Sequence, residues 1–333
     1  MHSARPDPGI LSALAAAVLF GASVPLAKLL TGQISPVLLA GLLYLGSGIG
    51  LLALFGLGRW RRRGAPRQPD SFSLQDSAWL GGAILSGGII GPVLLMLGLA
   101  HTPATSASLL LNLEGVFTAL LAWLVFKENI GRRIALGMLL ILLAGVLLVW
   151  PASWVLGDVS GALMITAACA CWAIDNNLTR HVSMHNPLGV AGAKGLVAGV
   201  VNTAIALTLG DMLPAWPHLA LAGLLGFLGY GVSLALFVLA LRHVGAARTG
   251  AYFSLAPFIG AGAALVLLHE SPGGLFWAAT GLMAAGIWLH LTERHAHLHT
   301  HAPLAHRHRH VHDAHHRHVH DFPWDSGEPH SHF

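Results

Sequence analysis

The chain has 333 residues, of which 55% are hydrophobic and only 10% charged, whereas charged residues make up about a quarter of a soluble protein. A mean hydropathy of +0.67 excludes a water-soluble globular protein and places the chain in a lipid bilayer. The net charge of +4 would suit a nucleic-acid partner, but the basic residues sit in short connections between apolar runs, so the charge records membrane topology and no nucleic acid is expected.

About 20 apolar residues suffice to cross a bilayer. Runs of that size lie at 10–30, 36–57, 78–100, 105–126, 134–150, 159–179, 189–210, 218–241, 249–268 and 274–292. They lack strand alternation, and backbone groups in lipid must be satisfied within the segment, so each is predicted to be a helix. The first run is not followed by a small-residue cleavage site and is read as a retained helix. Cys169 and Cys171 share one apolar run and read as small apolar filler, with no disulfide framework.

With the N-terminus in the cytoplasm, sixteen of the eighteen Lys and Arg residues fall in cytoplasmic segments. The outer loops TGQIS, HTPA, PASWVLGD, DMLPAWP and HESPG hold none, Lys28 ends span one, and Lys194 lies just inside span seven. This asymmetry puts both termini in the cytoplasm of a multi-pass inner-membrane protein.

The sequence also matches itself. His101, Ala104, Leu113 and Glu128 align with His243, Ala246, Leu255 and Glu270 at an offset of 142 residues, and Phe20, Leu26 and Lys28 align with Trp172, Leu178 and Arg180 at an offset of 152. Five spans per half is an odd number, so the second copy enters the membrane inverted, as in transporters whose substrate site lies near the midplane between the halves. Residues 9–150 are then one repeat, 157–292 the second, and 293–333 a disordered cytoplasmic tail.

Ten spans in two inverted halves, an aromatic followed by a small residue in spans one and six, and a Glu ending spans four and nine (FKEN, LHESP) resemble the drug/metabolite transporter superfamily, specifically its EamA-type permeases. The resemblance covers 9–292 and implies an all-α integral membrane protein of ten transmembrane helices in two inverted five-helix EamA repeats. It further implies a cavity lined mainly by spans one, three, four, six, eight and nine, with spans five and ten peripheral, and it implies no particular substrate.

Ionisable groups within a span cost about 3 kcal/mol on insertion scales and persist where they face a cavity or a partner. Glu114, near the middle of span four, is the leading candidate for a proton-carrying carboxyl; the alternative is an interhelical hydrogen bond made by a permanently protonated group. Asn112 lies two residues away on another helix face and reads as packing, yet it is kept among the candidate pathway residues. Asp175, Asn176 and Asn177 end span six at the depth where Lys194 begins span seven, so an Asp175–Lys194 ion pair and a direct substrate role are both open. Tyr252 and Ser254 occupy the positions matching Leu110 and Asn112 and are expected to face the same cavity. No phosphate loop, Walker pattern or nucleophile elbow is present, so neither an enzyme nor an ATP-driven pump is expected and no cofactor is required.

Beyond Leu291 the composition changes to histidine pairs: His295, His297, His299 and His301, then His306, His308, His310 and His312, then His315, His316, His318 and His320. Side chains two apart on an extended chain lie on one side, so these imidazoles form a candidate site for Ni, Co, Zn or Cu. A solvated low-complexity tail is the alternative. Three functions stay open at this point: a proton-coupled exporter of a small polar metabolite, a divalent-metal efflux permease fed by the tail with Glu114 and Asp175 as oxygen ligands on the path, and a non-transporting membrane metal sensor. The lipid bilayer and a small molecule or ion are the expected partners, and oligomeric state is not specified by these residues.

Overall fold

The computed structural model describes residues 7–61, 73–127, 131–150, 159–182 and 186–292. Within them lie α1 (Pro8–Leu30), α2 (Pro36–Arg61), α3 (Leu74–Ala83), α4 (Gly91–His101), α5 (Ala104–Leu110), α6 (Leu113–Phe126), α7 (Arg132–Val149), α8 (Ser160–Thr179), α9 (Pro187–Thr208), α10 (Trp216–Gly226), α11 (Ser233–Phe253), α12 (Ala256–Leu267) and α13 (Gly274–Leu291). No strand occurs among the described residues. Nine stretches there are long and apolar enough to cross a membrane. The remaining span, α8, has 20 residues, enough for about 30 Å, but Asp175, Asn176 and Asn177 dilute its apolar character. Glu128 and the histidines of the tail lie outside the described residues.

Local chemistry starts these helices. The Asp7 side chain accepts from the Gly9 N–H at 2.8 Å just ahead of Pro8. Ser73 and Asp76 form a reciprocal capping box at 3.0 Å each way. Asn186 caps the N–H groups of Leu188 and Gly189 beside Pro187, a residue that suits the first turn because its missing N–H would have been unpaired there.

Four of the spans are less regular than their hydropathy predicts. Ile84–Ile90, between α3 and α4, and Phe227–Val232, between α10 and α11, are π-helical. Span four breaks at Leu111 and Asn112, and span nine breaks at Ser254 and Leu255. Applying the 142-residue offset carries each irregularity onto its counterpart to within a residue. It also carries Lys127 onto His269, the two non-glycine residues with positive φ among those described, at 55° and 52°. The repeat is therefore written into the backbone as well as into the letters.

The contacts obey the same symmetry. Span one (α1) packs on spans eight and nine through α11 and α12, and span six (α8) packs on spans three and four through α4 and α6. Spans two and seven meet each other as α2 on α9, and spans five and ten meet as α7 on α13. Each repeat thus lends its first helix to the other, so the six spans that the family resemblance groups around a cavity are brought together across the repeats.

On the first helix residue size is sorted largely opposite to the pattern in a soluble core. On α1 the buried residues include Ala13, Ala16, Ala17 and Ala27, while Leu11, Val18 and Leu29 are exposed. Lipid solvates Leu as well as protein does, so close backbone contact between small residues holds such helices together. At the α2–α10 crossing, a Cβ on Gly46 would lie 2.1 Å from the Gly223 carbonyl oxygen, whereas Gly56, further along α2, has open space around it. Gly46→Val is expected to cost about 1–3 kcal/mol by forcing the two backbones apart, and Gly56→Val none of that steric cost. Thermal unfolding of the two variants in detergent checks this; equal melting temperatures would show that the close crossing is absent.

Candidate functional site

Breaking span four in mid-membrane places Glu114 in the first turn of the half-helix α6. The first turn of a helix carries a partial positive charge that suits a carboxyl there, and the Glu114 N–H itself donates to the Leu111 carbonyl at 3.1 Å. The Glu114 carboxyl reaches span six, where its Oε1 accepts from Asn176 Nδ2 at 2.8 Å. The same Asn176 amide donates to Thr118 Oγ1 at 3.3 Å, one turn further along α6. Leu163 and Ile174 form the outward, lipid-facing stripe of α8. Asn176 lies about 200° around the helix from Ile174, pointing inward, and yet it is exposed. An inward-pointing exposed amide marks open space inside the bundle, and half-buried Glu114 borders that space.

The three polar residues of α8 divide their work. Asn177 is buried and binds the backbone, donating to the carbonyls of Ala173 at 2.9 Å and Thr118 at 3.2 Å. Asp175 forms an ion pair with Lys194 of α9. Thr179 joins the pair, donating to Asp175 Oδ1 at 2.8 Å and accepting from Lys194 Nζ at 3.0 Å. Each charge so placed is matched and hydrogen-bonded, the condition under which buried ions are tolerated. Asp175 also packs on the π-helical turn, since a Cβ on Gly87 would lie 2.1 Å from its Oδ2.

Gly87 draws in residues that sequence reasoning did not single out for the site. Its carbonyl accepts from Tyr44 Oη at 3.1 Å and from Trp172 Nε1 at 2.9 Å. Tyr44 is within electrostatic reach of both Glu114 and Asp175. Its ring packs on Tyr230 at 5.9 Å between centroids, Tyr230 on Phe20 at 5.9 Å, and Phe20 on Phe253 at 5.6 Å. A belt of rings therefore runs from α2 through the second π turn to α1 and α11. The available signal was rarity: the chain has 3 Tyr, and Tyr44 sits in mid-span instead of at the membrane interface where Tyr normally collects.

The other expected residues lie apart. Asn112 turns toward α13, donating to the Leu109 carbonyl at 3.0 Å and meeting Met283 Sδ at 3.6 Å, away from Glu114. Ser254 donates to the Ala251 carbonyl at 2.8 Å and serves the break in span nine. Tyr252 is half-buried and has no hydrogen bond among the described residues. No group of three or more His, Cys, Asp or Glu able to hold a metal occurs among the described residues. An apolar groove of about 300 Å³ lined by Leu120, Trp123, Met138 and Leu142 lies between α6 and α7. It has no polar group to orient a ligand and is distinct from this site.

At one end of the bundle two charges fasten the joint between spans three and four. Lys28 Nζ donates to the carbonyls of Leu99, Ala100 and Thr102, the last two at 3.1 and 3.0 Å. The Glu270 carboxylate accepts from the N–H groups of Ala104 and Thr105 at 2.8 and 2.9 Å. A cation thus closes the C-terminus of α4 and an anion the N-terminus of α5, each matching the helix dipole. Glu270→Ala should cost about 0.5–2 kcal/mol, and Glu270→Gln, which keeps one acceptor, less. Melting temperatures of the two variants in that order support the staple; no loss in either removes it.

A family model described as the EamA-like transporter family matches residues 7–150 and 159–292. A protein of Methanothermobacter thermautotrophicus named an uncharacterized transporter is 30% identical over 301 residues, covering 84% of this chain and 85% of that one. A probable amino-acid metabolite efflux pump of Salmonella typhimurium is 29% identical over 208 residues, 57% of this chain and 68% of that one. A solved crystal structure superposes with a TM-score of 0.60 over 86% of this chain and 96% of its own, at 20% identity, which shows a shared fold.

Proposed function

The chain belongs to the EamA-like transporter family, and we propose that it is a secondary exporter that moves a small polar metabolite out across the cell membrane in exchange for protons. The observation that carries this reading is the contact between Glu114 and Asn176, made across the two repeats beside open space. A carboxyl there can take up a proton from one side and release it to the other as the repeats rock about the site. The Salmonella relative, named a probable efflux pump, favours efflux as the direction.

Loss of ionisation at Glu114 is the direct test. Glu114→Gln retains volume and a hydrogen-bonding oxygen for Asn176, so the bundle should fold and purify as before. Flux driven by an imposed pH gradient in proteoliposomes should fall to background. Unchanged flux with an unchanged pH dependence would remove Glu114 from the coupling role.

The orientation that goes with export has both termini in the cytoplasm, motivated by the Lys and Arg bias of the connections. Single cysteines at Arg62, Asn129 and His308 should then react with an impermeant thiol reagent only from the cytoplasm, and cysteines at Gly157 and Ser271 only from outside. Reaction from the opposite faces would invert the topology. The divalent-metal reading would use Glu114 and Asp175 as oxygen ligands, but Asp175 is paired with Lys194, and no group of three or more His, Cys, Asp or Glu able to hold a metal occurs among the described residues.

A further inference from the structure

The charges around the inner space are not balanced, and the imbalance specifies a class of ligand. Asp175 is neutralised by Lys194. Lys28 is committed to backbone carbonyls at the joint of spans three and four, with Glu270 nearby. Glu114, by contrast, is bonded to a neutral amide among the described residues. Its Oε1 accepts from Asn176, and its Oε2 accepts from no group among those residues.

Aromatic rings begin one turn along α8 from Asn176, at Trp172. Tyr44 and Trp172 meet at the Gly87 carbonyl, and from Tyr44 the rings continue through Tyr230 and Phe20 to Phe253. Their planes are tilted or perpendicular, at 43°, 81° and 41° in turn, so the rings present both faces and edges instead of stacking flat on one another. Ring faces attract cations, and ring edges and faces accommodate a flat apolar body. Neither Lys28 nor Lys194, the lysines within the described spans, is free to receive a carboxylate.

We infer that the site takes an organic ammonium ion carrying an aromatic body, a primary arylalkylamine, in preference to the corresponding amino acid. The inference rests on the transport reading and names the substrate class of the same site. The ammonium N–H groups bind Glu114 Oε2 and the aromatic body lies on the ring belt. Exchange is balanced: the carboxyl O–H bond breaks and releases one proton as one monocation binds, so Glu114 holds either the proton or the amine. An amino acid would bring a second, negative group next to Glu114 while Lys28 and Lys194 are already engaged, and a carboxylate desolvated without a partner is strongly disfavoured.

Tyramine and tyrosine share one body and differ by that carboxylate, so they separate the possibilities. Binding is measured on the full-length protein in detergent, together with proton release into weakly buffered solution. Flux is measured in proteoliposomes under a pH gradient. Tyramine should bind at least tenfold more tightly than tyrosine and release about one proton per molecule bound, and Glu114→Gln should abolish the release. Tyr230→Leu, which removes a ring face, should weaken tyramine roughly tenfold while the variant stays monodisperse. Equal or tighter binding of tyrosine overturns the amine class while leaving a transporter that takes zwitterions. No tyramine binding also overturns it, and pH-driven flux of other metabolites through the wild-type protein, lost in Glu114→Gln, would then show that the transport reading survives alone. Tyramine binding without proton release overturns the exchange at Glu114.

Discussion

Inside a bilayer no water is available to backbone N–H and C=O groups, so each must find a partner within the protein. A bundle of unbroken helices would meet this demand automatically. Here spans three and eight carry π turns and spans four and nine break in mid-membrane, and much of the polar chemistry in the bundle answers the groups so exposed. Tyr44 and Trp172 take the Gly87 carbonyl, and Asn202 donates to the carbonyls of Gly88 and Ile89 at 3.2 and 3.4 Å. Ser86 donates to the Cys171 carbonyl at 2.8 Å, and Lys28 and Glu270 serve the two helix ends that meet at the joint of spans three and four. Once these are accounted for, the Glu114–Asn176 pair stands out as polar side chains that face space instead of backbone.

The frame is symmetric and the site is not. Backbone irregularities recur between the repeats, yet the side chains at matched positions differ. Glu114 corresponds to Ala256, Thr118 to Gly260, and Asp175, Asn176 and Asn177 to Ser23, Val24 and Pro25. Thr118 carries a hydroxyl toward Asn176, while Gly260 allows α1 to approach so closely that a Cβ there would lie 2.7 Å from the Gly21 carbonyl oxygen. One pair of helices, α6 and α8, therefore carries the polar side chains, and their counterparts α12 and α1 pack tightly and contribute Phe20 to the belt of rings. Two repeats with the same fold thereby carry different side chains at matched positions, polar on α6 and α8 and mostly apolar on their counterparts.

Lipid as the outer solvent explains why this arrangement is affordable in stability. Large apolar side chains such as Leu124, at 66% exposed, and Val266, at 71%, sit on the outside at no cost. The interior can then hold alanine, glycine and hydroxyl side chains beside its buried leucines, and these allow close approach and supply hydrogen bonds. In water those outer Leu and Val side chains would stay exposed, at the cost of the main favourable term in folding.

By itself the sequence determined the ten spans, their ends to within a few residues, the two repeats and the presence of a carboxyl where hydrocarbon was expected. Each of these follows from local quantities, namely the apolar length needed to cross a bilayer and the unfavourable burial of charge, which do not depend on the neighbours of a helix. Tertiary structure decided which face of each helix met which partner. Consecutive residues Asp175 and Asn176 part company, one to Lys194 and the other to Glu114; Asn112, two positions from Glu114, turns to α13; and Tyr44 enters the site from a span with no polar motif to announce it. Successive residues on a helix point about 100° apart, so their partners are set by the rotation and adjacency of helices distant in sequence, and hydropathy carries no information about either.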